Sequence, residues 1–237
     1  MNQSGFDFRE YTPMYFSESA EGARDAYIEC SKEKFIEYVS SRAEKGEAEA
    51  QAIYAWLYLN KWISCSDSAK QAYNLAQAPR ELGDGFAIWI SAWALLEDGR
   101  VEGGIAEMIT AAEKNFSPAV YNLGYLYWNG IAVQQDRALG RALFEFGASL
   151  GHSSCVAMLD GLARNGVFGP WQKTVYYLER PLVMPFRTIG WWLSRKFSER
   201  DLLFPRSYKV LKNFSGANFD DETLSSLRKK LDYYLGE

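Results

Sequence analysis

Residues Ser117 to Gly151 read SPAVYNLGYLYWNGIAVQQDRALGRALFEFGASLG, and this stretch decides the fold. It reads as two amphipathic helices. In the first, Val120, Leu123, Gly124 and Tyr127 share one face at helical spacing. Gly130 supplies a helix stop, because glycine enters the left-handed conformation at a C-terminus without a Cβ clash. A loop from Ile131 to Gln135 comes next, and Asp136 stands where a side chain can cap the second helix. Along that helix Leu139, Leu143, Phe144, Gly147 and Ala148 form a face with small residues where a neighbour must come close. Gly151 ends it.

The same ending recurs upstream. KFIEYVSSRAEKG, Lys34 to Gly46, places Phe35, Tyr38, Val39 and Ala43 at matching offsets before its glycine. KQAYNLAQAPRELG, Lys70 to Gly83, does so with Ala72, Leu75 and Ala76. GGIAEMITAAEKN, Gly103 to Asn115, does so with Gly104, Met108, Ala111 and Ala112, and ends on Asn, the usual second choice for a left-handed position. The four ends at 46, 83, 115 and 151 are 37, 32 and 36 residues apart. A helix-pair period in the mid-thirties is a repeat signature. Each end leads into a further helix: Glu47 to Asn60, Asp84 to Asp98, Ser117 to Asn129 and Ser153 to Asn165. KTVYYLER, Lys173 to Arg180, reads as one more second helix, entered through Pro170 and Trp171. Pro181 and Pro185 then interrupt the pattern, and residues 186–198 and Asp221 to Leu235 read as separate helices, the latter capped by Asp220 or Asp221.

The central stretch resembles a Sel1-like repeat, of the tetratricopeptide-like helical-repeat superfamily. It is similar to the pattern A-x-x-x-L-G-x-x-Y-x-x-G-x-G-V-x-x-D at Ala119, Leu123, Gly124, Tyr127, Gly130, Val133 and Asp136. Ala132 departs from it, standing where the second loop glycine is expected. The unit from Asp84 to Asn115 has a shorter inter-helix turn, LEDGRVEGG, closer to a plain tetratricopeptide repeat. The resemblance covers roughly residues 32 to 180. It implies an all-α fold: a right-handed α/α superhelix, or solenoid, of antiparallel helix pairs. Residues 1–31 are then an irregular N-terminal segment, 32–180 the repeat array, and 181–237 an aromatic and basic C-terminal cap or set of accessory helices.

Composition narrows the function. The apolar fraction of 48% is ordinary and the aromatic fraction of 16% is high, enough to fill a core. A net charge of −4 argues against a general nucleic-acid binder. The charge is uneven: Arg180 to Lys212 holds eight Lys or Arg and two acids, so the chain before it carries about −8. The N-terminus has no basic and apolar leader pattern, and no run of eighteen apolar residues occurs. Cys30, Cys65 and Cys155 include no C-x-x-C pair and read as free, buried thiols of a reducing compartment. A cytoplasmic protein is expected, with the inner membrane surface as the place of any membrane contact.

Reactive groups are sparse. His152 is the one histidine, which excludes a multi-histidine metal site. His152 and Cys155, three apart, can share a helix face as a nucleophile pair. The plainer reading is a packed thiol at the position aligned with Ala119 and a histidine just past a helix end. Gly99, Gly103 and Gly104 lack the preceding strand of a phosphate cradle and read as a turn. Asp220, Asp221 and Glu222 suit a helix start as well as a cation. No enzyme, cofactor or metal is expected.

Binding is the remaining class. By analogy with tetratricopeptide repeats, first helices line the concave side of the array and take an extended peptide or partner helix. The residues left to face that groove are Tyr121, Tyr125 and Trp128, with Ala52, Trp56 and Leu59 as equivalents in the first repeat. The same aromatics can instead pack against the next repeat or the C-terminal segment. That segment, Pro185 to Phe214, aligns Phe186, Ile189, Leu193 and Phe197, flanked by Trp191, Trp192, Arg195 and Lys196. It suits either a cap over the last apolar face or contact with a membrane surface or acidic partner. The resemblance implies a non-catalytic protein–protein interaction scaffold or adaptor. The alternative is a peripheral membrane protein that uses residues 185–214.

Overall fold

The computed structural model of the protein describes residues 32–167 together with Gly169, Leu227 and Lys229. The described residues form eight α-helices: α1 Lys32–Glu44, α2 Ala48–Leu59, α3 Ser68–Glu81, α4 Gly85–Glu97, α5 Val101–Glu113, α6 Ser117–Asn129, α7 Arg137–Ser149 and α8 Ser153–Arg164. Each packs on the next in the chain, and α2 also packs on α4. The expected all-helical class and all eight expected helices within this range are present, with ends displaced by at most three residues.

The turns into α2, α4, α6 and α8 share one construction. Gly46, Gly83, Asn115 and Gly151 all take the left-handed conformation, with φ of 84°, 84°, 63° and 83°. In each, the left-handed N–H donates to the carbonyl three residues back, as Gly83 does to Arg80 at 2.8 Å and Gly151 to Ala148 at 2.9 Å. The next N–H donates five residues back, as Asp84 does to Pro79 at 3.1 Å and His152 to Gly147 at 2.8 Å. These are Schellman closures, which satisfy the last carbonyls of the outgoing helix. The residue that completes each closure is also the N-cap of the incoming helix. Glu47, Asp84, Phe116 and His152 have nearly equal dihedrals, φ −65° to −73° and ψ 98° to 116°. One residue therefore ends one helix and begins another, which fixes the angle between them.

Packing is governed by small residues at fixed distances from these turns. Four residues after each turn residue stand Ala50, Ala87, Ala119 and Cys155, all buried. Nine after the first three stand Ala55, Ala92 and Gly124, also buried. A Cβ on Gly124 would lie 2.9 Å from the Phe144 ring and 3.2 Å from the Gly140 carbonyl. A Cβ on Gly140 would lie 2.8 Å from the Trp128 amide nitrogen. Helices α6 and α7 thus meet backbone to backbone, as the glycines predict. Gly103 and Gly104 follow the helix reading of Gly103 to Asn115 and correct the turn reading. They lie inside the first turn of α5 rather than in a loop, and Gly104 lets Leu96 and the Ala92 carbonyl of α4 approach. Gly99, with φ of 79°, makes the turn, and its N–H and that of Arg100 close α4 on the Leu96 and Leu95 carbonyls by the same two bonds.

The core lies in two parts. The larger runs from Phe35 and Val39 of α1 through α2 to α7, and Leu227 is buried in it as well. The smaller gathers Tyr121, Phe144, Cys155 and Leu162 between α6, α7 and α8. Every residue of α4 from Phe86 to Leu96 is buried, the mark of a helix enclosed on all sides. Among the described residues no helix is long and apolar enough to cross a membrane.

The connection from α6 to α7 keeps the expected landmarks. Gly130 has φ of 65°, and Asp136 Oδ1 accepts the Leu139 N–H at 2.9 Å as a cap. Ala132, at the expected glycine, takes φ of 61°. Cys65 corrects an expectation of burial: it is exposed in the connection between α2 and α3.

Leu123 is wholly buried, so Leu123→Asp places an unpaired carboxylate in the core and should abolish cooperative folding by circular dichroism. Gly124→Trp should do the same by overpacking. A wild-type melting curve from either variant contradicts this packing. Exposed Lys61 has φ of 57°, and Lys61→Gly should raise unfolding free energy by about 1 kcal/mol by relieving the left-handed penalty. Urea titration measures it, and a loss of stability contradicts it.

Candidate functional site

The expected groove residues divide on exposure. Trp56 of α2 is 5% exposed, and Ala52 and Leu59 are buried beside it. Its ring lies 6.0 Å from that of Trp62, which the chain places over it just after α2 ends. Tyr121 is 9% exposed. It stacks on His152 at 5.0 Å, the planes 19° apart, and lies 6.1 Å from Phe144. Burial pushes its hydroxyl up to about 12. Trp56 and Tyr121 therefore do not form an open wall. Trp56 packs against Trp62 within its own unit, and Tyr121 against Phe144 of its own unit and His152 at the entry to the next, the last being the packing on the next repeat open to such aromatics.

Tyr125 and Trp128 are half-buried. Between Ser117 and Tyr127, Tyr125 is the single residue of α6 that is not buried. Trp128 lies 6.4 Å from Phe144, and the Arg137 guanidinium sits 5.7 Å from its ring centre in a cation–π contact. The accessible surface of α6 is thus its C-terminal end, bordered by the first residue of α7. Arg137 is a member of this edge that sequence reasoning misses. Its position next to the Asp136 cap, within one loop of Trp128, is the available signal. Trp191, Trp192, Arg195 and Lys196, and with them the expected basic aromatic segment, lie outside the described residues.

His152 and Cys155 come together but not as a reactive pair. Both are fully buried. Burial lowers the His152 imidazole to about 4 and raises the Cys155 thiol. An activated pair needs the opposite, a thiolate beside an imidazolium. Their places in the turn register account for them. Tyr121 stands six residues after Asn115 and Trp89 six after Gly83. Phe116 lies 5.8 Å from Trp89, so the His152–Tyr121 stack is the next turn's version of the Phe116–Trp89 contact. Among the described residues no three His, Cys, Asp or Glu side chains stand together as a metal site would require.

A polar node joins α4 and α6, which α5 separates in the chain. Trp89 Nε1 donates to Asn122 Oδ1 at 2.7 Å, and Trp93 Nε1 donates to the same oxygen at 3.2 Å. Asn122 is fully buried. Two indoles one turn apart thus share one acceptor, which fixes α6 against α4 in register. Nothing in the local sequence marks Asn122, because its partners lie in another unit.

No model of a known protein family matches the chain, and no curated protein matches it at a significant level.

Asn122→Leu should cost about 2–4 kcal/mol, since it leaves two buried indole N–H groups without their acceptor. In a Trp89→Phe, Trp93→Phe background the same change should cost under about 1 kcal/mol. Chemical denaturation of the wild type and the three variants measures the coupling, and additive losses contradict the shared acceptor.

Proposed function

We propose that the chain is a non-catalytic helical-repeat scaffold of the Sel1-like, tetratricopeptide-like type, cytoplasmic, which binds a partner protein rather than a substrate. The observation that carries this reading is the recurrence, at intervals of 37, 32 and 36 residues, of one turn with nearly equal cap dihedrals, in which a left-handed residue and a shared cap join two helices. Stacked helix pairs of this kind bury their repeated faces against their neighbours and make a solenoid. Two details support the family. Ala132 adopts the backbone that the pattern gives to glycine, and Asp136 caps the second helix at the pattern's aspartate.

In this reading the contact surface is narrower than a groove along all first helices. Burial of Trp56, of α4 and of Tyr121 leaves Tyr125, Trp128 and Arg137 as the aromatic and cationic edge. Tyr, Trp and Arg are the side chains that most often dominate binding energy at protein interfaces. Their large area, low rotamer entropy and polar ends suit an extended peptide or a partner helix.

A photo-crosslinking amino acid at position 125 tests this in cells. It should yield a discrete protein adduct that the same group at exposed Glu102 does not. Arg137→Ala should reduce the adduct by about tenfold or more, the loss expected of a contact worth at least about 1.4 kcal/mol. Equal adducts from 125 and 102 overturn the proposal.

A further inference from the structure

His152 is fully buried, and among the described residues neither ring nitrogen has a hydrogen-bond partner. Buried polar groups are ordinarily satisfied, and an exception calls for a reason. The ring lies where the outgoing α7 and incoming α8 share a residue, stacked on Tyr121 of α6. A neutral imidazole is tolerated there. An imidazolium is not, because three unfavourable features meet at this point. The ring is out of reach of solvent, it stands at the N-cap of α8 where the helix dipole is positive, and no carboxylate among the described residues pairs with it. Helix α6 carries no charged side chain and presents Tyr121. On α7 the charges are Arg137, Arg141 and Glu145; the last two pair with each other at 2.6 Å, and Arg137 lies over Trp128. On α8 the titratable group nearby is Cys155, one turn on and a protonated thiol, while Asp160 and Arg164 stand two and three turns further along.

The seat beneath α8 is apolar. Tyr121, Phe144, Cys155 and Leu162 form its buried centre, with Met158 and Leu159 packed around them. A side chain at Gly147 would collide with the Cys155 sulfur, which occupies that space. At the corresponding position one turn earlier the chain uses Phe116, which cannot titrate.

We propose that His152 makes the docking of α8 sensitive to pH: protonation of its buried ring releases α8 from α6 and α7 and uncovers Cys155 with the apolar seat around Tyr121 and Phe144. The direction is set by linkage. With α8 docked the imidazole is held down to about 4, whereas a solvated histidine titrates at about 6.5. A depressed value contributes docking stability that is complete above about 6.5 and is lost as pH falls toward about 4. Between pH 7.5 and pH 5 the undocked fraction should rise roughly 30-fold. The device is independent of the scaffold reading, since it concerns one helix and its seat.

Two measurements test it. In the full chain carrying Cys30→Ser and Cys65→Ser, Cys155 is the sole thiol, and an acid-active disulfide reagent reports its exposure. Its labelling rate, divided by that of the urea-unfolded chain at each pH, should rise roughly 30-fold from pH 7.5 to pH 5. Amides of α4 should stay protected from exchange over the same range. With His152→Phe, the residue's own counterpart at Phe116, the rise should be under about threefold. Because the chain has one histidine, its ring resonance gives the second readout on the unaltered protein, and it should titrate near 4 in the native state. A flat labelling rate, an equal rise in His152→Phe, loss of α4 protection in step with labelling, or a native titration near 6.5 would each overturn the proposal.

Discussion

The whole helical array depends on a three-residue turn closed by two hydrogen bonds. It leaves no slack. The left-handed residue satisfies one late carbonyl, its successor satisfies another, and that successor is already the cap of the next helix. With no free residue between them, the two helices cannot rotate or slide independently. The angle is set by backbone geometry before any side chain is considered. The turns at Gly46, Gly83, Asn115 and Gly151, separated by similar lengths of chain, give the packing its regularity.

That regularity dictates where bulk is allowed. A position four residues past each turn must be small, and it holds Ala, Ala, Ala or Cys. The position one past the turn varies in its chemistry, and at Phe116 and His152 it faces the preceding first helix. Phe116 packs by area, Asp84 instead accepts the Phe86 N–H at 2.9 Å, and His152 stacks on Tyr121. Between the turns, specificity comes from less regular contacts. Glycine against glycine joins α6 to α7, and the shared Asn122 acceptor joins α6 to α4. The Arg80 guanidinium meets the Glu107 carboxylate between α3 and α5.

Helix boundaries were legible in the sequence because left-handed backbone is costly for any residue but glycine or asparagine. At Gly46, Gly83, Asn115 and Gly151 the residue that adopts it announces itself, whereas Lys61 and Ala132 adopt it unannounced. The core faces of α1, α3, α5 and α7 were legible for a second reason: those helices are amphipathic, so period and burial agree. Helices α4 and α6 are apolar nearly all round, and period then carries no information about which side is covered. Tyr121 and Tyr125, four residues apart on one face, could not be told apart, yet one is buried under His152 and the other is half-exposed. Trp56 packs on Trp62, which sits in an irregular connection that helical spacing does not reach. Asn122 was invisible because its partners are 29 and 33 residues away.

The links between helices fall into two kinds. Those entering α2, α4, α6 and α8 are each three residues long, as the shared cap demands. Those leaving α2, α4 and α6 span residues 60–67, 98–100 and 130–136; the second keeps the three-residue closure, through Gly99 and Arg100, and the other two are longer. The longer connections, 60–67 and 130–136, both lie on the same side of the helix pairs. A lineage of such chains can acquire new surface by lengthening these connections while its helices keep their mutual angles. The stiff links act as a ruler and the loose ones as the place where novelty accumulates.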